Sequence, residues 1–126
     1  MKIEVKAKIH PSEDPDKVTE SVKNIFPEID LSVKENQVKG KSTNKNSLEK
    51  LKNKIGLQAI RDTARKELEK NRENQSIQFS LNKQVATVDK VNFSTGETPL
   101  GSIEVRIEAK DIEELIDYLV SKKEER

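Results

Sequence analysis

A chain of 126 residues suits one domain, and its 32% hydrophobic content supports only a modest core. One histidine and no cysteine exclude disulfides and thiol chemistry and leave carboxylates, lysines and hydroxyls as the reactive groups, so no enzyme activity of its own is expected. The formal net charge of +1 creates no global field for nucleic acid, and no apolar run reaches the roughly 18 residues that a membrane span needs.

Residues 2–10 read KIEVKAKIH. Ile3, Val5, Ala7 and Ile9 alternate with Lys2, Glu4, Lys6 and Lys8, the pattern of a strand with one buried and one wet face. His10-Pro11 stops it, because proline has no amide to give a ladder. A helix follows, capped by Asp14, opened by Pro15 and ended by Pro27, with Val18, Val22, Ile25 and Phe26 along one face. Ile29, Leu31 and Val33 alternate, Glu35-Asn36 turns, and the chain returns through Val38 and Gly40, which predicts a hairpin. Residues 41–46 are polar and read as loop.

Ser47 reads as the cap of the next helix, with Leu48, Leu51 and Ile55 on one face. Beyond Gly56 a second stripe, Leu57, Ile60, Ala64 and Leu68, is out of phase with the first, which predicts a kink or two successive helices. Residues 71–75 form the exit loop. Ile77, Phe79 and Leu81 alternate as a strand, a turn is expected at Asn82-Lys83-Gln84, and a further strand over 87–93. After a loop over 94–101, Ile103, Val105 and Ile107 make the last strand. Asp111 caps a final helix, with Glu114 placed to return the bond and Ile112, Leu115, Ile116 and Leu119 as its buried face. The tail over 122–126 is expected to fray. The order β-α-β-β-α-β-β-β-α, with every strand alternating, predicts an α+β fold: a mainly antiparallel sheet with helices on one face, forming one domain over 1–121.

Several stretches carry a resemblance. They are His10-Pro11-Ser12-Glu13-Asp14-Pro15, Asn24-Ile25-Phe26-Pro27, Asp62-Thr63-Ala64-Arg65, and LNKQVATVDKVNF from Leu81 to Phe93 followed by Pro99-Leu100-Gly101-Ser102-Ile103-Glu104-Val105. In this order they resemble the archaeal uncharacterised protein family 0201 over nearly the whole chain. The resemblance implies an α+β domain similar to the ribosomal protein that binds 5S RNA in the large subunit, a homodimer, and a cytoplasmic archaeal setting. For function it implies kinship with RNA-binding proteins, which is an analogy of fold.

Charge is unevenly spread. Residues 34–72 hold 12 basic and 5 acidic side chains, and the rest of the chain 12 basic and 18 acidic. The basic segment is a candidate phosphate-binding face, with Lys50, Lys54, Arg61 and Arg65 along one side of the central helices and Lys83 at the later turn. Glu49, Asp62, Glu67 and Glu69 compete for those cations at helical spacing. Phe26, Phe79, Phe93 and Tyr118 are the only aromatic residues, and none reads as a base-stacking platform on a wet strand face.

Asp62 and Arg65 read as a surface or interface ion pair, with ligand binding by the Arg65 guanidinium as the sharper alternative. His10 reads as a turn residue beside a helix cap, with a metal site shared with carboxylates as its alternative. Asn82 and Gln84 form a polar cluster with Lys83 that turn chemistry alone explains, and they stay as ligand candidates. The four glycines are too widely spaced for a phosphate loop. No metal or cofactor is expected. The reading is a non-enzymatic binding module that contacts RNA through its basic helical segment. Its alternative is a homodimeric protein-interaction domain with an RNA-binding-like fold that does not bind RNA. Neither DNA nor membrane is expected as a partner, and the cytoplasm is the default compartment.

Overall fold

A computed structural model describes residues 1–94 and 101–121. The first strand, β1 (Lys2–Lys8), keeps its alternation, with Ile3, Val5 and Ala7 buried and Lys2, Lys6 and Lys8 exposed. Helix α1 (Pro15–Ile25) starts where expected: the Asp14 carboxylate accepts the Asp16 amide at 2.9 Å, and Pro15 occupies the first turn. Strands β2 (Leu31–Lys34) and β3 (Gln37–Ser42) form the hairpin. Its two turn residues, Glu35 and Asn36, have φ of 54° and 61°. Two successive left-handed residues give the turn whose twist matches the flanking strands.

Strand β3 runs further than the alternation suggested, to Ser42, so the expected loop over 41–46 is shorter. A 3-10 turn (Lys45–Leu48) follows, and Asn44 caps it by accepting the Asn46 amide. Ser47 is therefore not a cap. It is buried, with its hydroxyl 2.7 Å from that of Ser42.

The phase slip near Gly56 marks two helices, α2 (Glu49–Leu57) and α3 (Arg61–Lys70), joined through Ala59 at φ 57°. Leu57 was expected on the buried stripe but is 85% exposed, because α2 ends there and the second apolar face begins only at Ile60. The Arg61 side chain lies across the junction: a Cβ at Gly56 would stand 2.6 Å from its Nη2 and displace the end of that side chain.

Strand β4 (Ser76–Asn82) is as expected, but the strand expected over 87–93 does not form. Lys83–Ala86 is a short helix, α4, because the Asn82 side chain accepts the amides of Gln84 and Val85 and caps it. The amides of Thr87, Val88, Asp89 and Lys90 then turn back onto carbonyls of Gln84, Val85 and Ala86, which leaves them nothing to give a ladder. Pairing with β4 is confined, among the described residues, to the bridge of Phe93 with Leu81, where the Asn82 amide donates to the Asn92 carbonyl and the Ser94 amide to that of Ser80. Residues 95–100 of the expected loop, and the tail over 122–126, lie outside the described residues.

Strand β5 (Ser102–Glu108) and helix α5 (Ile112–Leu119) complete the chain. Asp111 accepts the Glu114 amide at 3.0 Å, while the return bond, from the Asp111 amide to the Glu114 carboxylate, is absent among the described residues. The strands form one antiparallel sheet in the order β2-β3-β1-β5-β4. Its inner face, with Ile3, Val5, Val38, Ile77, Phe79, Leu81, Ile103, Val105 and Ile107, joins the apolar stripes of α1, α2, α3 and α5 in one core. The architecture is α+β with one covered and one open sheet face.

Candidate nucleic-acid interface

The basic side chains of the central helices are largely spoken for within the chain. Lys54 makes an ion pair of 2.9 Å with Asp89 and donates to its carbonyl at 2.6 Å, and Lys50 lies 3.4 Å from the same carboxylate. Lys54, through its hydrogen bond and charge, and Lys50 hold the Asp89 carboxyl below its ordinary value. Arg61 donates from Nε to the Ser121 carbonyl at 3.1 Å. Arg65 reaches Asp117 at 2.6 Å, Glu69 at 3.6 Å and Glu113 at 3.8 Å, and the hydrogen bond to Asp117 does most to raise its pKa. Lys45 and Lys52 stand over the Tyr118 ring, 4.3 and 5.6 Å from its centroid. Burial, helped by the charge of Glu49, pushes the Tyr118 hydroxyl up.

The other candidates are also placed. Lys83 is buried and bonded to the Lys8 carbonyl and Glu13. Asp62 does not pair with Arg65: it is exposed, and Arg65 is held by acids of α5 and by Glu69 instead. His10 is an exposed turn residue whose Nδ1 lies 3.1 Å from the Ser12 hydroxyl. Asn82 is spent on its cap, and Gln84 is exposed beside it. Among the described residues no group of three His, Asp or Glu side chains is arranged to hold a metal, and no helix is long and apolar enough to cross a membrane.

The open face of the sheet is different. Strand pairing lines up its side chains in rows that cross the strands. One row is Lys41, Glu4, Arg106 and Gln78, and the next is Lys39, Lys6, Glu104 and Ser80. Between them lies the row of Gly40, Val5, Val105 and Phe79, which faces the core. The gap is a trough of about 500 Å3, lined by Lys6, Lys39, Lys41, Glu104, Arg106 and Gln78 among others.

Its electrostatics are lopsided. Lys6 and Lys39 stand directly opposite each other, which is unfavourable for like charges, and neither makes an ion pair among the described residues. Lys8 on β1 and Lys34 on β2 are likewise exposed and unpaired. Glu4 is flanked by Lys2 and Lys41, each at 3.9 Å. Glu104 opposes Lys6 in register but is held by hydroxyls instead, from Ser80 at 3.0 Å and from Ser102 at 2.7 Å. Arg106 is paired with Glu108 at 3.2 Å. The β2, β3 and β1 half is thus a lysine field, and the β5 and β4 half is mixed and hydroxyl-rich.

A family model described as RNA binding matches residues 2–109, which takes in the whole sheet. A UPF0201 protein of Methanothermobacter thermautotrophicus is 40% identical over 119 residues, covering 94% of this chain and 89% of that one. The chain belongs to the UPF0201 family. A second UPF0201 protein, from Sulfurisphaera tokodaii, is 39% identical over 96% of this chain and 88% of its own length. The crystal structure of a UPF0201 protein from Methanococcus jannaschii is similar to this fold with a TM-score of 0.86 and 36% identity, over 98% of this chain and 96% of that one.

On this UPF0201 sheet no aromatic side chain faces outward among the described residues. Phe26, Phe79 and Phe93 are buried, the last two with ring centroids 5.8 Å apart, and Tyr118 lies on α5. Basic density along the sequence is highest in the helical segment and leaves the strand lysines inconspicuous. Their signal is a charged residue at every second position of KIEVKAK, three of the four being lysine, and lysine at every second position of VKGK, the period that puts side chains on one sheet face.

Proposed function

We propose that this domain is a binding module without catalysis of its own, and that it holds RNA on the open face of its sheet. Lys2, Lys6, Lys8, Lys34, Lys39 and Lys41 contact phosphates, in place of the helical cations. The observation that carries the reading is the Lys6–Lys39 juxtaposition: two lysines stand opposite each other in register, neither makes an ion pair among the described residues, and a bound polyanion removes the like-charge cost. The family model described as RNA binding supports the same class of partner. A cytoplasmic location goes with it.

The missing aromatics shape the mode of binding. Without stacking platforms the affinity comes from phosphate neutralisation and is steeply salt-dependent. Titrating mixed-sequence single-stranded RNA at several salt concentrations tests this. For four to six contacts, log affinity falls against log salt with a slope of about −3 to −4. A slope near zero, or no binding at low salt, overturns the proposal.

A homodimeric interaction domain is the second reading. The outer edge of β2 is unpaired in the sheet, and Val33 on it is 54% exposed, a surface on which a second copy can add its own strand. A dimeric mass in solution together with no RNA binding at low salt upholds this second reading, and RNA binding at either mass upholds the first.

A further inference from the structure

The trough has two chemically distinct ends, and this bears on which RNA it takes. At one end are the free ammonium groups of Lys6 and Lys39. On the β5 and β4 side, next to Lys6, are a carboxylate, Glu104, the Arg106 guanidinium paired with Glu108, and the exposed amide of Gln78 one diagonal step from Glu104 on β4. A glutamate among lysines ordinarily collapses onto one of them. Glu104 does not, although Lys6 opposes it; Ser80 donates to Oε1 and Ser102 to Oε2. An ionised carboxylate has about four acceptor sites, so two hydroxyls fix it in place and leave acceptor capacity facing the trough.

From this we infer that the trough seats one unpaired nucleotide, with its phosphate at Lys6 and Lys39 and the edge of its base at Glu104 and Gln78. The inference rests on the sheet face being the RNA surface. A carboxylate accepts from an exocyclic amine and is repelled by a carbonyl oxygen. Cytosine presents an amine at C4 where uracil presents a carbonyl, and at N3 cytosine accepts where uracil donates. The face therefore favours cytosine over uracil. Glu104 is the specificity residue, and Ser80 and Ser102 are positioning residues that act through it.

The experiment compares a single-stranded C oligomer with a U oligomer of equal length at fixed low salt, by fluorescence anisotropy on the full chain. The C oligomer is expected to bind about tenfold more tightly, the size of one good base-edge contact. In Glu104→Gln the amide both donates and accepts, so the preference shrinks to less than about twofold while the salt slope stays the same. In Ser80→Ala/Ser102→Ala the carboxylate remains but is no longer held, and the preference falls to an intermediate value. Equal binding of the two oligomers by the unaltered protein, or a preference that survives Glu104→Gln, overturns the inference and leaves the RNA reading standing. Binding of neither oligomer overturns both.

Discussion

The Nζ of Lys83 lies 3.0 Å from Oε1 of Glu13 and 2.7 Å from the carbonyl of Lys8, with 3% and 12% of the two side chains left exposed. Glu13 also accepts the backbone amide of His10 at 2.8 Å. One ammonium thus ties the first residue of α4 to the end of β1 and to the turn before α1. Lys83 was a candidate RNA contact by sequence, but its ammonium is turned inward.

Removing one partner of such a pair leaves the other charge buried and unmatched. Lys83→Met is expected to cost about 3 kcal/mol of stability. Lys83→Met/Glu13→Gln should recover part of that loss, since no charge is then stranded. Urea unfolding of the two variants checks the order. RNA affinity per folded molecule should be unchanged in both.

The lysines of the open face and the cations of the helices make opposite predictions. Lys6→Gln and Lys39→Gln should each lower the salt slope of RNA binding by about 0.7, with stability unchanged or slightly improved by relief of the like-charge pair. Lys50→Gln and Arg65→Gln should leave the slope alone, because those side chains already neutralise Asp89 and Asp117. A slope that responds to the helical pair and ignores the strand pair would return the binding surface to α2 and α3.

Asp89 has a depressed pKa, so the stability it contributes is fully present above the ordinary aspartate value of about 4 and is lost as pH falls through its lower folded value. Replacing it by Asn, which tolerates the left-handed backbone at φ 66°, should lower stability at neutral pH and flatten the acid side of the stability curve. The effect is small, since the carboxylate is half exposed. Thermal midpoints measured from pH 2 to pH 7 show it.

Asn82 holds two amides of α4 at 2.8 and 3.1 Å. Asn82→Ala should cost about 1 kcal/mol. Because α4 also carries Lys83, hydrogen exchange should rise first across residues 83–90 and in the turn before α1.

These particulars show what a sequence discloses about such a chain. Where apolar residues repeat at two or near four, as in β1, α1 and α5, burial follows the period and the elements stand as expected. Residues 87–93 looked extended because valines recur there, yet one side-chain cap at Asn82 diverts the backbone into turns. The fate of the helical cations was hidden for another reason. Their acids, Asp89 and Asp117, lie 35 and 52 residues away, and no local spacing can announce a partner that tertiary packing delivers. The pairing of lysine with lysine across β1 and β3 was equally out of reach, because register between non-consecutive strands is not written in either strand.

The trough between the two rows has a dimension that no mutation of its banks can alter. Its banks are positions two apart on the same strands, so their spacing is the pleat repeat itself, about 6.7 Å. A slot cut by backbone geometry keeps the spacing of its banks whichever side chains stand on them.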